Sequence, residues 1–173
     1  MIKYLCEAGV DHDASRILWS IYQQQSAYVS LDGVASRMFD ICRGVRQGDP
    51  LSPILFNNVT RVTFDKLKSK WAREERGLIV CGGNGLKSTH SMFADDTTLY
   101  ASSENAMIAM IRDVKAALAE HGLNLNMDKC MVQTTCLSAQ CSPIDVDGEA
   151  IPMVPPSFGF KVLGTKFSLH DRT

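Results

Sequence analysis

Ser88-Thr-His-Ser-Met-Phe-Ala-Asp-Asp-Thr-Thr-Leu-Tyr100 consists of two short runs of apolar and hydroxyl residues that meet at an acid doublet. β-branched and aromatic residues favour strands and Asp tolerates turn geometry, so the stretch predicts a hairpin with Asp95 and Asp96 at its tip. Two carboxylates about 4–5 Å apart repel by roughly 3–4 kcal/mol at an effective dielectric of ~20. A hard divalent cation relieves that repulsion, and a pair of such ions can clamp the oxygens of a phosphoryl transfer. Alone, an Asp-Asp pair more often marks a plain turn, so the surrounding sequence has to decide.

Outward from the hairpin, helices alternate with short strands. Asp13 to Ala27 predicts a helix capped by Asp11 or Asp13. Tyr28-Val-Ser-Leu31 and Arg37-Met-Phe-Asp-Ile-Cys42 flank Asp32-Gly33, a strong hairpin signal. Ser52-Pro53 starts a helix that runs through Leu55, Phe56, Val59, Val62 and Leu67 to about Trp71, with the Ser52 hydroxyl as its cap. Leu78 to Cys81 reads as a strand before the turn Gly82-Gly83-Asn84-Gly85. Ser102 or Ser103 caps a helix with the stripe Met107, Ile111, Val114 and Leu118, stopped by Gly122. Lys129 to Thr135 reads as a strand, and Asp147-Gly148 as the turn of a last small hairpin. This pattern predicts an α+β fold, an antiparallel sheet with helices packed on one face.

Composition narrows the class. The 173 residues are 45% apolar and 21% charged, which suits a single globular domain and excludes disordered or collagen-like chains. Ala106 to Ile111 is the longest apolar run, far short of the roughly 18 residues of a membrane span, and no signal-peptide layout is present. The expectation is an intracellular protein, nucleus and cytoplasm undistinguished, with its six cysteines reduced and buried as small hydrophobes. Zinc on His121, Cys136 and Cys141 matches no standard ligand spacing. Net charge is −1, yet residues 37–76 carry +4 against −2 and −3 in the flanks. Such a block can steer a polyanion, although Lys66, Lys68, Lys70, Arg73 and Arg76 read more simply as a solvated helix face.

Cys42-Arg-Gly-Val-Arg-Gln-Gly-Asp-Pro-Leu-Ser-Pro-Ile-Leu-Phe56 gives the acid doublet its context. It resembles motif B of reverse transcriptases, particularly those of non-LTR (LINE-type) retrotransposons. Met92-Phe-Ala-Asp-Asp-Thr-Thr-Leu-Tyr100 resembles motif C, Gly122 to Cys130 motif D, and Phe160-Lys-Val-Leu-Gly164 motif E. Their order is that of the family, and the likeness spans nearly the whole chain.

The resemblance implies an incomplete palm-like domain over residues 1–173, with the start of a thumb at about 157–173. It implies Asp95 and Asp96 as ligands of Mg²⁺, with Mn²⁺ as the alternative. Arg46, Gln47 and Gly48 would meet the nucleotide or template, and Lys129 would protonate departing pyrophosphate. For Arg46 the competing reading is a surface ion pair, and for Lys129 a solvated strand end. Gly44 and Gly48 would admit the nascent base pair, and Leu163 and Gly164 would belong to the primer grip. Phe93 and Tyr100 are expected in the core. The implied partners are an RNA template, a DNA primer and a nucleoside triphosphate, with no membrane. The implied reaction is RNA-directed DNA synthesis onto a DNA 3′-hydroxyl.

No AFD-like motif A aspartate stands in the chain, and Met1 to Gly9 resembles the family's sequence just after that motif. The expectation is therefore a fragment whose 173 residues polymerise inefficiently by themselves. Rival readings are a non-catalytic nucleic-acid-binding remnant, a group II intron-type reverse transcriptase, and an RNA-dependent RNA polymerase or nuclease with paired acids.

Overall fold

A computed structural model describes residues 2–79, 87–136, 141–162 and 165–167. The turn expected at Gly82 to Gly85, Cys81, and the expected primer-grip residues Leu163 and Gly164 lie outside the described residues. The chain forms two compact units, Met1–Val62 and Thr63–Thr173.

In the first unit, α1 (Ile2–Glu7) is followed by α2 (His12–Tyr22). Asp11 caps α2, its Oδ2 accepting from the backbone N–H groups of Asp13 and Ala14 at 2.9 and 3.3 Å. The helix stops at Tyr22, well before Ala27. Gln24 takes φ +57, and the buried Gln25 side chain turns back so that its Nε2 donates to Ile21 O at 3.0 Å. That amide satisfies a terminal carbonyl that a longer helix would have bonded. A ribbon follows, in which β1 (Ser26–Ala27) pairs with β4 (Phe39–Asp40) and β2 (Ser30–Leu31) with β3 (Val34–Ala35). Asp32 and Gly33 turn the inner pair with φ +49 and +82, the two left-handed positions that a two-residue I′ turn demands. Leu31 and Val34 are 72% and 73% exposed, so turn chemistry shapes this ribbon more than burial does.

Helix α3 (Ser52–Arg73) begins in the first unit and ends in the second. Within the first unit, Asn58 Nδ2 donates to Tyr4 O at 2.8 Å and Leu5 and Leu55 are buried.

The second unit holds β5 (Leu78–Ile79), β6 (Lys87–Ser88), β7 (His90–Phe93), β8 (Asp96–Leu99), α4 (Glu104–Ala119), β9 (Val132–Gln133), β10 (Ile144–Val146), β11 (Glu149–Ile151), β12 (Met153–Val154), β13 (Phe160–Val162) and β14 (Thr165–Phe167). The pairs β5–β6, β7–β8, β10–β11 and β13–β14 are antiparallel, and β9–β12 is parallel. An α+β architecture is thus present. Among the described residues its strands pair two by two rather than joining into the one antiparallel sheet expected. Ser103 caps α4 by accepting from Ala106 N–H at 3.2 Å. One core gathers Phe64, Leu67, Trp71, Met110 and Val114 beneath Met92 and Leu99 of the acid hairpin. A second packs Ile111 against Ile144, Val146 and Ile151. Each fully buried apolar side chain contributes about 1.5–3 kcal/mol, so these two cores outweigh any surface ion pair of the unit.

Asp113 ties the aromatic core to the charged end of α3. Its Oδ1 accepts from Lys70 Nζ at 2.7 Å, and its Oδ2 from Trp71 Nε1 and Arg76 Nη1, each at 2.9 Å. Burial pushes this carboxyl up, but the bonds from Lys70 and Trp71 and the charges of Lys70 and Arg76 outweigh it and hold the group below its ordinary value. Two members of the basic block, Lys70 and Arg76, are therefore engaged inside the unit.

Candidate active site

The acid doublet sits where the hairpin turns. Phe93 pairs with Asp96, leaving Ala94 and Asp95 as a two-residue loop. Ala94 takes φ +52, a left-handed conformation that penalises a side chain by about 1–2 kcal/mol. Strand alternation divides the hairpin into two faces. His90, Met92, Thr97 and Leu99 share the inner one, while Ser91, Phe93, Asp96 and Thr98 share the outer one.

Asp95 and Asp96 are both exposed, and no hydrogen bond or ion pair engages either carboxylate among the described residues. Hard oxygen donors left unengaged at a strained tip fit a hard cation such as Mg²⁺. No group of three or more His, Cys, Asp or Glu side chains gathers around a common point among the described residues, so neither a third carboxylate nor the zinc arrangement of His121, Cys136 and Cys141 is found there.

Phe93 departs from expectation. It is 65% exposed on the outer face, because Met92 and not Phe93 falls on the inward register. Tyr100 is half-buried, its hydroxyl 2.8 Å from Ser91 Oγ.

The Cys42–Pro50 loop belongs to the first unit. Gly44 and Gly48 both take φ +86, and a Cβ at either would meet nothing within 4 Å. Backbone conformation, rather than a steric neighbour among the described residues, therefore calls for glycine there. Gln47 is exposed beside Gly48. Arg46 Nε donates to Gln25 Oε1 at 3.0 Å, so part of its guanidinium is anchored within the unit. Asp49, which the motif resemblance did not single out, organises the loop. Its Oδ2 accepts from Tyr22 Oη at 2.6 Å and its Oδ1 from Leu51 N–H at 2.9 Å. The bond from Tyr22, then that from Leu51, holds the Asp49 carboxyl below its ordinary value. Burial, then the Asp49 bond, pushes the Tyr22 hydroxyl up. The expected Ser52 cap is not formed: Ser52 is already the first residue of α3 and its Oγ meets no hydrogen-bond partner among the described residues, while Asp49 accepts from Leu51 N–H just before the helix. Asp49 before Pro50, a residue type whose side chain bonds the backbone two positions on, was the signal available in the sequence.

Lys129 is exposed at the end of a 3₁₀ turn, Met127–Lys129, so the strand expected from Lys129 is shortened to Val132–Gln133. Cys6, Cys42 and Cys136 are exposed rather than buried. Cys130 is half-buried, and burial, then the Glu149 charge, pushes its thiol up. No helix among the described residues is long and apolar enough to cross a membrane.

The family model described as reverse transcriptase (RNA-dependent DNA polymerase) matches residues 5–167. The chain belongs to that family, as the order of its motifs implied. Three relatives come from R2 retrotransposable elements. The Retrovirus-related Pol polyprotein from type-2 retrotransposable element R2DM of Drosophila melanogaster is 32% identical over 158 residues, which are 87% of this chain and 14% of that protein. The corresponding polyprotein from type-1 retrotransposable element R2 of Nasonia vitripennis is 32% identical over 114 residues, 66% of this chain and 10% of that protein. One from Popillia japonica is 27% identical over 174 residues, 92% of this chain and 26% of that protein. The chain is thus similar to the reverse transcriptase domain of R2-type, non-LTR Pol polyproteins and spans about a quarter or less of these three proteins.

Proposed function

We propose that this chain is the palm segment of an RNA-directed DNA polymerase, with the start of a thumb at about 157–173, and that Asp95 and Asp96 hold its divalent cations. The observation that carries the proposal is the pair of unengaged, exposed carboxylates at a strained two-residue tip, in a chain matched to the family from residue 5 to residue 167. When bound, Mg²⁺ or Mn²⁺ offsets phosphoryl charge and lowers the pKa of the attacking 3′-hydroxyl. The chain's own residues position the reactants. Gln47 offers an amide donor and acceptor toward nucleotide or template, and the left-handed backbone at Gly48 keeps that surface free of side chain. Asp49 and Tyr22 fix the loop that carries both. The Nη groups of Arg46 contact phosphate while Nε stays on Gln25. Lys129 delivers a proton to the departing pyrophosphate, and Leu163 and Gly164 support the primer. The partners are an RNA template, a DNA primer and a nucleoside triphosphate, inside the cell.

Exchanging the matching 158-residue region of the Drosophila R2DM polyprotein for this chain tests the proposal by primer extension on RNA. Extension by the chimera that Asp95→Ala abolishes is the expected result, with a loss of about 10³-fold or more, the scale of several kcal/mol at the transition state. The 173 residues alone are expected to extend poorly. Salt-sensitive nucleic-acid binding without extension by the chimera would favour the non-catalytic reading instead.

A further inference from the structure

His90 lies five residues before Asp95, on the inner face of β7, in an aromatic environment that an apolar residue would fill at less cost. Its ring centroid is 4.9 Å from that of Phe64 and 5.9 Å from that of Trp71, and the latter two are 6.3 Å apart, a closed triangle of rings. Phe64 and Trp71 are 3% and 0% exposed, and Trp71 is fixed in turn by Asp113. Thr89 Oγ1 lies 2.9 Å from His90 Nδ1. The charged groups that act on the imidazole are Lys68 and Asp65, both on α3 and of opposite sign; across the hairpin it pairs with Leu99, which is apolar. Beyond this anchor the hairpin has little support. Phe93, Ala94, Asp95, Asp96 and Thr97 are all exposed, so the direction of the tip is set by how His90, Met92 and Leu99 seat on the core.

We infer that His90 is a positioning residue for the acid doublet: packed against the rings of Phe64 and Trp71, it fixes the tilt of the hairpin and so the orientation of Asp95 and Asp96. The inference rests on the proposed cation binding only for its consequence. The mechanical coupling stands apart from it. Burial, then the Lys68 charge, disfavours the imidazolium, so the neutral form dominates at neutral pH. Protonation in acid brings a hydrated cation into the ring triangle and loosens the seat.

Metal-free amide spectra of the full chain, recorded from about pH 7.5 to pH 5, test the coupling. In the parent chain the Ala94–Thr97 amides are expected to shift with the same midpoint as the His90 imidazole, below the ordinary 6.5. His90→Phe keeps a ring and cannot titrate, so its tip amides are expected to stay still over that range. His90→Leu serves the same purpose should the phenyl ring not fit. Tip amides that ignore the His90 midpoint, or that move equally in the variants, would overturn the inference. A Mn²⁺ titration of the same samples separates the two claims. The parent chain is expected to lose affinity several-fold toward pH 5.5 and His90→Phe less than twofold. Tip amides that follow His90 in a protein whose doublet binds no Mn²⁺ would uphold the positioning role and defeat the cation reading.

Discussion

Tyr22 Oη donates to Asp49 Oδ2 at 2.6 Å, joining the last residue of α2 to the loop that carries Gln47 and Gly48 across 27 residues of sequence. That one bond makes the loop's conformation depend on the end of a helix that sequence patterning alone would have continued to Ala27.

Tyr22→Phe removes the largest influence holding down the Asp49 carboxyl. A carboxyl whose folded pKa is depressed stabilises the fold above its unfolded value, here the ordinary 3.8, and that contribution is lost as pH falls through the folded value. The variant is therefore expected to melt below the parent at pH 6, with the gap closing toward pH 3. Faster hydrogen exchange at Gly44 to Gly48 is expected at neutral pH. An unchanged melting temperature at pH 6 would show that the bond does not stabilise the unit.

Asp113→Ala strands Trp71 Nε1 in the core and releases Lys70 and Arg76. One orphaned buried donor and two lost charge-assisted bonds are expected to cost about 3 kcal/mol, read from the urea midpoint. The depressed Asp113 carboxyl also makes this stabilisation an acid-labile one, present at neutral pH and lost as pH falls through its folded value.

Ala94 tests the strained tip. Ala94→Gly removes a left-handed penalty but adds unfolded-chain entropy, so stability is expected to rise by no more than about 1 kcal/mol. Ala94→Val, β-branched at φ +52, is expected to fall at least about 1 kcal/mol below the glycine variant in thermal melts. Equal melting of the two would contradict a left-handed residue 94.

Local chemistry was legible where a few adjacent residues settle it. Asp32-Gly33 and Asp147-Gly148 adopt paired left-handed conformations and turn hairpins, as their residue types demand. Ser103 caps α4, and Gly122 at φ +70 lies just past its end. Motifs B and C were legible as a family resemblance, which the match over residues 5–167 bears out. What the sequence hid depends on distant partners. Gln25 ends α2 by bonding Ile21, Asp49 and not Ser52 holds the backbone that enters α3, and β9 finds β12 in parallel about twenty residues on. Phe93 faces outward because the register of a four-residue strand is decided by what lies beneath Met92 and His90. Propensity cannot distinguish two neighbouring apolar residues on opposite faces.

The cation-binding claim is tested most directly by titrating Mn²⁺ into the isotopically labelled full chain and following paramagnetic broadening of its amides. Broadening that begins at Ala94 to Thr97, and that Asp95→Ala and Asp96→Ala each weaken, is the expected result. Broadening that starts elsewhere, or that survives both substitutions unchanged, would show that the doublet is only a turn.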